Sequence, residues 1–213
     1  MVQQTRRAFL WLCNSSGLIS AGLALASLMS NANAAAVVGQ PAPAFQAPDL
    51  QGRMVSLSDF KGKTVVLEWH NFGCPFVQKH YRSGNIQALQ KRYAADVVWL
   101  AINSTHSGHQ DYQAPAVLEK ELARFGATPT RFLMDEPGTV GRAYGAKVTP
   151  HMYVIDPAGK VVYNGAIDDK RSANPEDVKT SRNLVVAALE DLRAGRSVAN
   201  ASNVPYGCTI KYK

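Results

Sequence analysis

Cysteine is scarce in this chain. There are three in 213 residues, and only Cys74 and Cys208 lie beyond position 34. No Cys-x-x-Cys and no His-x-x-x-His spacing occurs, so the compact ligand patterns of structural zinc and copper sites are missing. A glycine-rich phosphate cradle and a serine nucleophile elbow are also missing, which excludes the usual nucleotide-binding and serine-hydrolase signatures. Lys and Arg outnumber Asp and Glu by 23 to 16 without forming a dense block. Lys61, Lys63, Lys79, Arg82, Lys91, Arg92, Arg171 and Lys211 are spread along the chain, so no nucleic-acid partner is expected. Beyond position 34 no run is long and apolar enough to span a bilayer, and there is no repeat or low-complexity segment.

The first residues carry a different pattern. Thr5-Arg6-Arg7-Ala8-Phe9-Leu10 precedes a moderately apolar stretch from Gly17 to Met29 and then Ala32-Asn33-Ala34. A positive start, an apolar middle and a small-residue cleavage site make residues 1–34 an expected export signal. Its Arg pair followed by Phe-Leu is similar to the twin-arginine type, with an ordinary secretory signal as the alternative. The expected location is therefore exported and periplasmic, with no stable membrane association after cleavage. Residues 1–34 hold two arginines and no acids, so the remainder carries a net charge of +5. Cys13 leaves with the signal. Cys74 and Cys208 then form an even pair in a space that permits disulfides.

What remains is of a size for one domain with a substantial core. Residues 35–52, with Pro41, Pro43 and Pro48, are expected to run as an extended N-terminal strap. The main domain is expected at 53–196, and an irregular tail at 197–213 carries Cys208. Short strands are expected at 54–57, 64–70, 96–102 and 131–134. A helix at 75–93 is broken near Ser83-Gly84-Asn85, and another at 115–125 is stopped by Gly126. Pro137 opens a short helix ending at Gly145. A hairpin at 151–155 and 160–164 turns at Asp156-Pro157-Ala158-Gly159, and a last helix runs from the Asn174 cap to about Ala194. This order argues an α/β fold with a mixed central sheet and helices on both faces.

Cys74 is the focus of this pattern. It follows the apolar run Thr64-Val65-Val66-Leu67 through Glu68-Trp69-His70-Asn71-Phe72-Gly73, and Pro75 comes next. A helix N-terminus offers unpaired N–H groups and the positive end of a dipole, which favour thiolate over thiol.

Three features carry a resemblance to a known family: Gly73-Cys74-Pro75 after the first core strand, Thr149-Pro150 before the hairpin, and the strand–hairpin–helix finish. From about residue 40 to 213 the chain resembles the thioredoxin-like fold. The nearest group is the redoxins, which include alkyl hydroperoxide reductase and thiol-specific antioxidant proteins. Gly165-Ala166-Ile167-Asp168 and the tail from Pro205 to Tyr212 look like a recurring subtype of this group. The resemblance implies that Thr149-Pro150 is a cis bond facing the reactive cysteine and that Pro150 shapes the substrate groove.

Departures from the family matter as well. Val77 stands where thioredoxins place a second cysteine, so Cys74 has no local resolving partner. Leu67 and Asn71 stand where peroxiredoxins place a proline and a threonine, although Asn71 can still donate a hydrogen bond. The arginine that peroxiredoxins place near Thr149-Pro150 is missing too.

Cys208, 134 residues downstream, is the candidate resolver. Three outcomes stay open: a redox-active pair, a structural bridge worth about 4–5 kcal/mol in the chain-entropy model, or two sulfurs that never meet. His70 is expected near the sulfur, where an imidazolium would favour thiolate, and His151 beside the site next to Pro150. Cys74, His70, His151 and Cys208 form an alternative ligand set for copper or zinc, although the expectation is no metal and no organic cofactor. Glu68 either lies beneath the cysteine as a proton relay or points outward. Trp69 is expected to pack, His80 to face a loop, His106 and His109 to be solvated, and Lys79 and Arg82 to lie on a solvated helix face.

These readings predict an exported thiol-disulfide oxidoreductase with Cys74 as nucleophile. The alternatives are a thiol peroxidase and a non-enzymatic scaffold that binds a metal or a partner. The expected partners are a protein or low-molecular-weight disulfide or thiol, a peroxide under the second reading, and an electron-donor thiol protein.

Overall fold

The computed structural model describes residues 35–213, so the expected export signal lies outside the described residues. Five strands form the central sheet in the order β5-β4-β3-β7-β8. These are β3 (Thr64–Trp69), β4 (Val97–Asn103), β5 (Arg131–Met134), β7 (His151–Ile155) and β8 (Val161–Gly165). β3, β4 and β5 run parallel, while β7 and β8 are antiparallel to their neighbours, so the sheet is mixed as expected.

The strands alternate between two buried faces. Val66, Trp99, Phe132, Met152 and Val154 point to one side. There they meet α1 (Pro75–Arg82), α2 (Asn85–Tyr93), α3 (Pro115–Phe125) and α5 (Leu184–Arg193). Val65, Leu67, Trp69, Leu100, Ile102 and Tyr153 point to the other. That side is covered by α4 (Thr139–Tyr144), by the hairpin of β1 (Gln46–Pro48) and β2 (Met54–Ser56), and by Ile210 of the tail. Burying each large aliphatic side chain on either face contributes about 1.5–3 kcal/mol. With both faces covered, a central strand is apolar almost throughout, as β3 is.

Local chemistry sets the breaks. Gly84, with φ at 74°, ends α1 and starts α2, close to the expected interruption. The expected single helix over 174–194 is two elements. Asn174 caps a short 3-10 turn (Pro175–Lys179), accepting from the Glu176 N–H. Asn183 then caps α5 afresh by accepting from the Val186 N–H. The helix expected from Pro137 begins at Thr139, because Gly138 adopts φ 71° and Asp135 accepts from the N–H groups of Val140 and Gly141. The extended strap contains β1. The tail, expected to be irregular, carries a two-residue strand, β9 (Cys208–Thr209), paired antiparallel with β6 (Val148–Thr149). Among the described residues no helix is long and apolar enough to cross a membrane.

Candidate active site

Cys74 occupies the N-cap of α1, with φ −82° and ψ 122° and Pro75 as the first helical residue. Proline has no N–H to lose there and its fixed φ suits the first turn. The approach from β3 is braced by Asn71. Its Oδ1 accepts from the Gly73 N–H at 2.7 Å, and its amide donates to Thr105 Oγ1 at 2.9 Å and to the Asp111 carbonyl at 3.1 Å. Asn71 therefore fixes the loop, and both its polar atoms are engaged.

The Cys74 sulfur lies 3.0 Å from the Thr149 carbonyl oxygen and 2.7 Å from the Cys208 sulfur. Thr149-Pro150 is a cis peptide bond. Thr149 is the register partner of Cys208 in the β6–β9 pair, so the strand pairing that sets Thr149 beside one sulfur also holds the other in place. Gly207 permits this approach: a Cβ there, at φ 147°, would fall 1.9 Å from the Thr149 carbonyl oxygen. Of the three outcomes left open for the cysteines, separation is ruled out by this geometry. Both are thiols here, Cys74 buried at 3% exposure and Cys208 half-buried. Burial, together with the adjacent Cys74 sulfur, pushes the Cys208 thiol up to about 12, against a smaller opposite effect of Lys211. Beside the sulfurs lies a recess of about 40 Å³ lined by Asn71, Thr105, Asp111, Thr149 and Lys211.

Glu68 points inward to the helical face and is fully buried. It accepts from Trp99 Nε1–H at 2.7 Å and Tyr81 O–H at 3.0 Å, with His70 Nδ1 at 3.1 Å. Burial and the Glu68 carboxylate push the Tyr81 phenol well above its ordinary value. His70 turns to Glu68 and is enclosed by Phe72, Tyr81 and Phe132. Its Nε2 has no partner among the described residues, so the ring addresses the carboxylate and makes no hydrogen bond to Cys74.

His151 follows Pro150 but its nitrogens are taken elsewhere: Nδ1 accepts from the Lys147 N–H, and Nε2 lies 2.8 Å from Asn164 Oδ1. Burial lowers its pKa to about 4. The ring is therefore neutral, and it ties β7 to β8. Trp69 packs between Tyr144 and Tyr153 and donates to Ser104. The alternative metal set is thus divided among separate hydrogen-bond partners. Among the described residues no three His, Cys, Asp or Glu side chains converge in a metal-holding arrangement.

The expectation for Lys79 requires correction, whereas His80 faces the loop segments of Tyr206 and Asp168 as expected. Lys79 is fully buried rather than solvated. Its ammonium lies 2.9 Å from Asp168 Oδ2, 2.7 Å from the Lys170 carbonyl and 3.1 Å from Tyr206 Oη. Tyr206 donates to the other Asp168 oxygen. His80 is buried against Tyr206 Oη at 3.4 Å and Asn85 Nδ2 at 2.9 Å. This cluster joins α1, the loop after β8 and the tail two residues before Cys208. Lys79 belongs there because α1 is covered on more than one side, which a single-sided amphipathic reading does not anticipate. His106 and His109 are half-buried on their loop rather than fully solvated.

The AhpC/TSA family pattern matches residues 38–164, more than half of the chain. The chain belongs to the AhpC/TSA family. The chain is also similar to proteins named as thiol-disulfide oxidoreductases. The protein named thiol-disulfide oxidoreductase ResA of Bacillus thuringiensis subsp. konkukian is 26% identical over 126 residues, covering 59% of this chain and 67% of its own. The protein named thioredoxin-like protein YneN of Bacillus subtilis is 28% identical over 123 residues, covering 58% and 68%. Among solved structures, an uncharacterized conserved protein from Geobacillus kaustophilus aligns with a TM-score of 0.71 at 30% identity, covering 83% of this chain and 93% of its own. The AhpC/TSA assignment and the sheet order agree on a thioredoxin-like α/β fold.

Proposed function

We propose that the protein is an exported thiol-disulfide oxidoreductase that alternates between a Cys74/Cys208 dithiol and a Cys74–Cys208 disulfide. One observation carries this reading: two sulfurs 134 residues apart meet at 2.7 Å where α1 begins, beside Thr149-Pro150. The names of the relatives support it.

In the oxidising half-cycle the Cys74 thiolate attacks one sulfur of a substrate disulfide and expels the other as thiolate. The Cys208 thiol then attacks Cys74 in the mixed disulfide. Its proton goes to the departing substrate sulfur, the Cys74–Cys208 bond forms, and the substrate leaves with two electrons gained. A donor dithiol reverses the change in the protein. Thr149 and Pro150 shape the site, Pro75 and Asn71 hold the loop, and Glu68 with His70 forms the polar floor beneath it. No organic cofactor is required, since sulfur carries the electrons. The substrate is a protein or small disulfide, and the donor is a thiol protein. The export segment at 1–34, with a periplasmic destination, belongs to this reading.

The size of the recess favours a second reading. About 40 Å³ admits a molecule of the size of water or a hydroperoxide beside Cys74. The Cys74 thiolate would attack the peroxide, release water or an alcohol and become sulfenic acid. Cys208 would condense with it, losing a second water.

Turnover of a small disulfide and of hydrogen peroxide, each with a dithiol donor, separates the readings. Cys74→Ser is expected to lower the operative activity at least 100-fold. Wild-type-like disulfide turnover in that variant excludes the first reading, and absence of peroxide consumption in the wild type excludes the second.

A further inference from the structure

We infer that the oxidised pair is opened at Cys208: the donor thiol attacks the tail sulfur, and Cys74 departs as thiolate. The inference rests on the exchange reading above and concerns its reductive half, for which a nucleophile must choose between two sulfurs.

Access separates them first. Cys74 is 3% exposed, between the Thr149 carbonyl and the tail, whereas Cys208 is half-buried. In the oxidised pair the S–S bond itself holds the tail over Cys74, and the tail is further tied on both sides of Cys208. Upstream, Asn203 Oδ1 accepts from the Ala166 N–H and Tyr206 is sunk in the Lys79–Asp168 cluster. Downstream, the Ile210 N–H donates to the Lys147 carbonyl and Tyr212 O–H to the Ala146 carbonyl. The β6–β9 pairing also fills the hydrogen-bonding edge at Thr149, so an extended partner cannot add there as a strand beside Cys74.

Leaving-group chemistry points the same way. Attack on Cys208 places the departing negative charge on the N-cap residue of α1, at the positive end of the helix dipole. Attack on Cys74 would place it on the tail sulfur, which caps no helix. The sulfur at the helix end is therefore also the less reachable atom, and position and access select the same bond polarity.

The step balances as follows. A donor thiolate bonds to Cys208, the S–S bond breaks, and its electron pair stays on Cys74. A second donor thiolate then attacks the donor sulfur of the mixed disulfide, giving an oxidised donor. Cys208 leaves with the electron pair and takes a proton from water. Lys211 lowers the Cys208 pKa against a smaller opposite effect of Asp111, so the local field is weakly positive toward an anionic nucleophile.

The test is regiochemical and uses the full chain in its oxidised form. A pulse of glutathione is followed by acid quench, alkylation of the freed thiol and peptide mass mapping. A parallel sample is opened with sulfite in the presence of alkylating agent, which leaves a stable S-sulfonate on whichever sulfur was attacked. The expected result is adduct on Cys208 and alkyl on Cys74, with at least a tenfold excess over the reverse. If the glutathione adduct decays before quench, the sulfite product decides. Equal labelling, or adduct mainly on Cys74, overturns the assignment. A chain that forms no Cys74–Cys208 disulfide at all would refute the exchange reading itself, and this assignment with it.

Discussion

Two buried polar clusters flank the helix that begins at Cys74, and they are built on opposite principles. The cluster between the sheet and α1 surrounds one carboxyl, Glu68, with the phenol of Tyr81, the indole of Trp99 and the imidazole of His70, and among the described residues no Lys or Arg bonds to it. The cluster at the tail pairs the Asp168 carboxylate with the Lys79 ammonium and adds a phenol and a carbonyl. A buried ion pair is vulnerable to loss of one partner, because the surviving charge is stranded. A carboxyl held by neutral donors is vulnerable to loss of acceptor geometry instead. The first cluster thus joins β3 and β4 to α1, and the second fixes the tail that carries Cys208.

The largest effect should come from breaking the ion pair. Asp168→Asn keeps an acceptor for Tyr206 but strands Lys79, and is expected to cost about 3–5 kcal/mol of stability. Adding Lys79→Met should recover more than half of that loss in urea unfolding. A loss below about 1 kcal/mol for the single variant would mean that water reaches the ammonium. Glu68→Gln comes next, replacing one acceptor oxygen by an amide that faces donors, at about 1–3 kcal/mol. The same measurement sharpens the comparison: a cost equal to that of Asp168→Asn would show that the two clusters do not differ in kind.

The smallest effect is a slope. Burial, with a further push from Lys79 against the opposing pull of Asp168 and Glu68, lowers the His80 pKa to about 4. Its folded pKa lies below the unfolded value near 6.5. The stability it supports is therefore full above pH 6.5 and is lost as pH falls towards 4, by at most about 1.4 kcal/mol per pH unit. His80→Gln should flatten the acid limb of stability against pH by that amount. An unchanged limb would place the proton uptake elsewhere, with His151 the next group to examine.

Much of the fold and part of the site could be read from residues alone, for identifiable reasons. Gly73-Cys74-Pro75 and Thr149-Pro150 are short local signatures, and the turn at Asp156 to Gly159 has residues suited to its geometry. Glu68 could not be placed by strand alternation, because both faces of β3 are buried and alternation distinguishes only wet from dry. The Lys79–Asp168–Tyr206 cluster had no local sign. Its members lie 89 and 38 residues apart, and a lysine on an amphipathic helix is ordinarily solvated. The tail read as irregular because a two-residue strand has no periodicity to detect. Asn174 and Asn183 are both cap residues, and a sequence reading that caps only at Asn174 predicts one helix where the chain forms two elements.

Gly207 carries a consequence for how this protein can vary. Its α-hydrogens are all that separate the tail from the carbonyl over which the chain folds, and any methyl-bearing replacement would meet backbone, which has no rotamer to yield. The gap between the two sulfurs is thus governed by the smallest side chain available, at a position that carries no sulfur of its own. A lineage could exchange many surface residues of this tail and keep its chemistry, but enlarging this one would uncouple the two sulfurs without touching either.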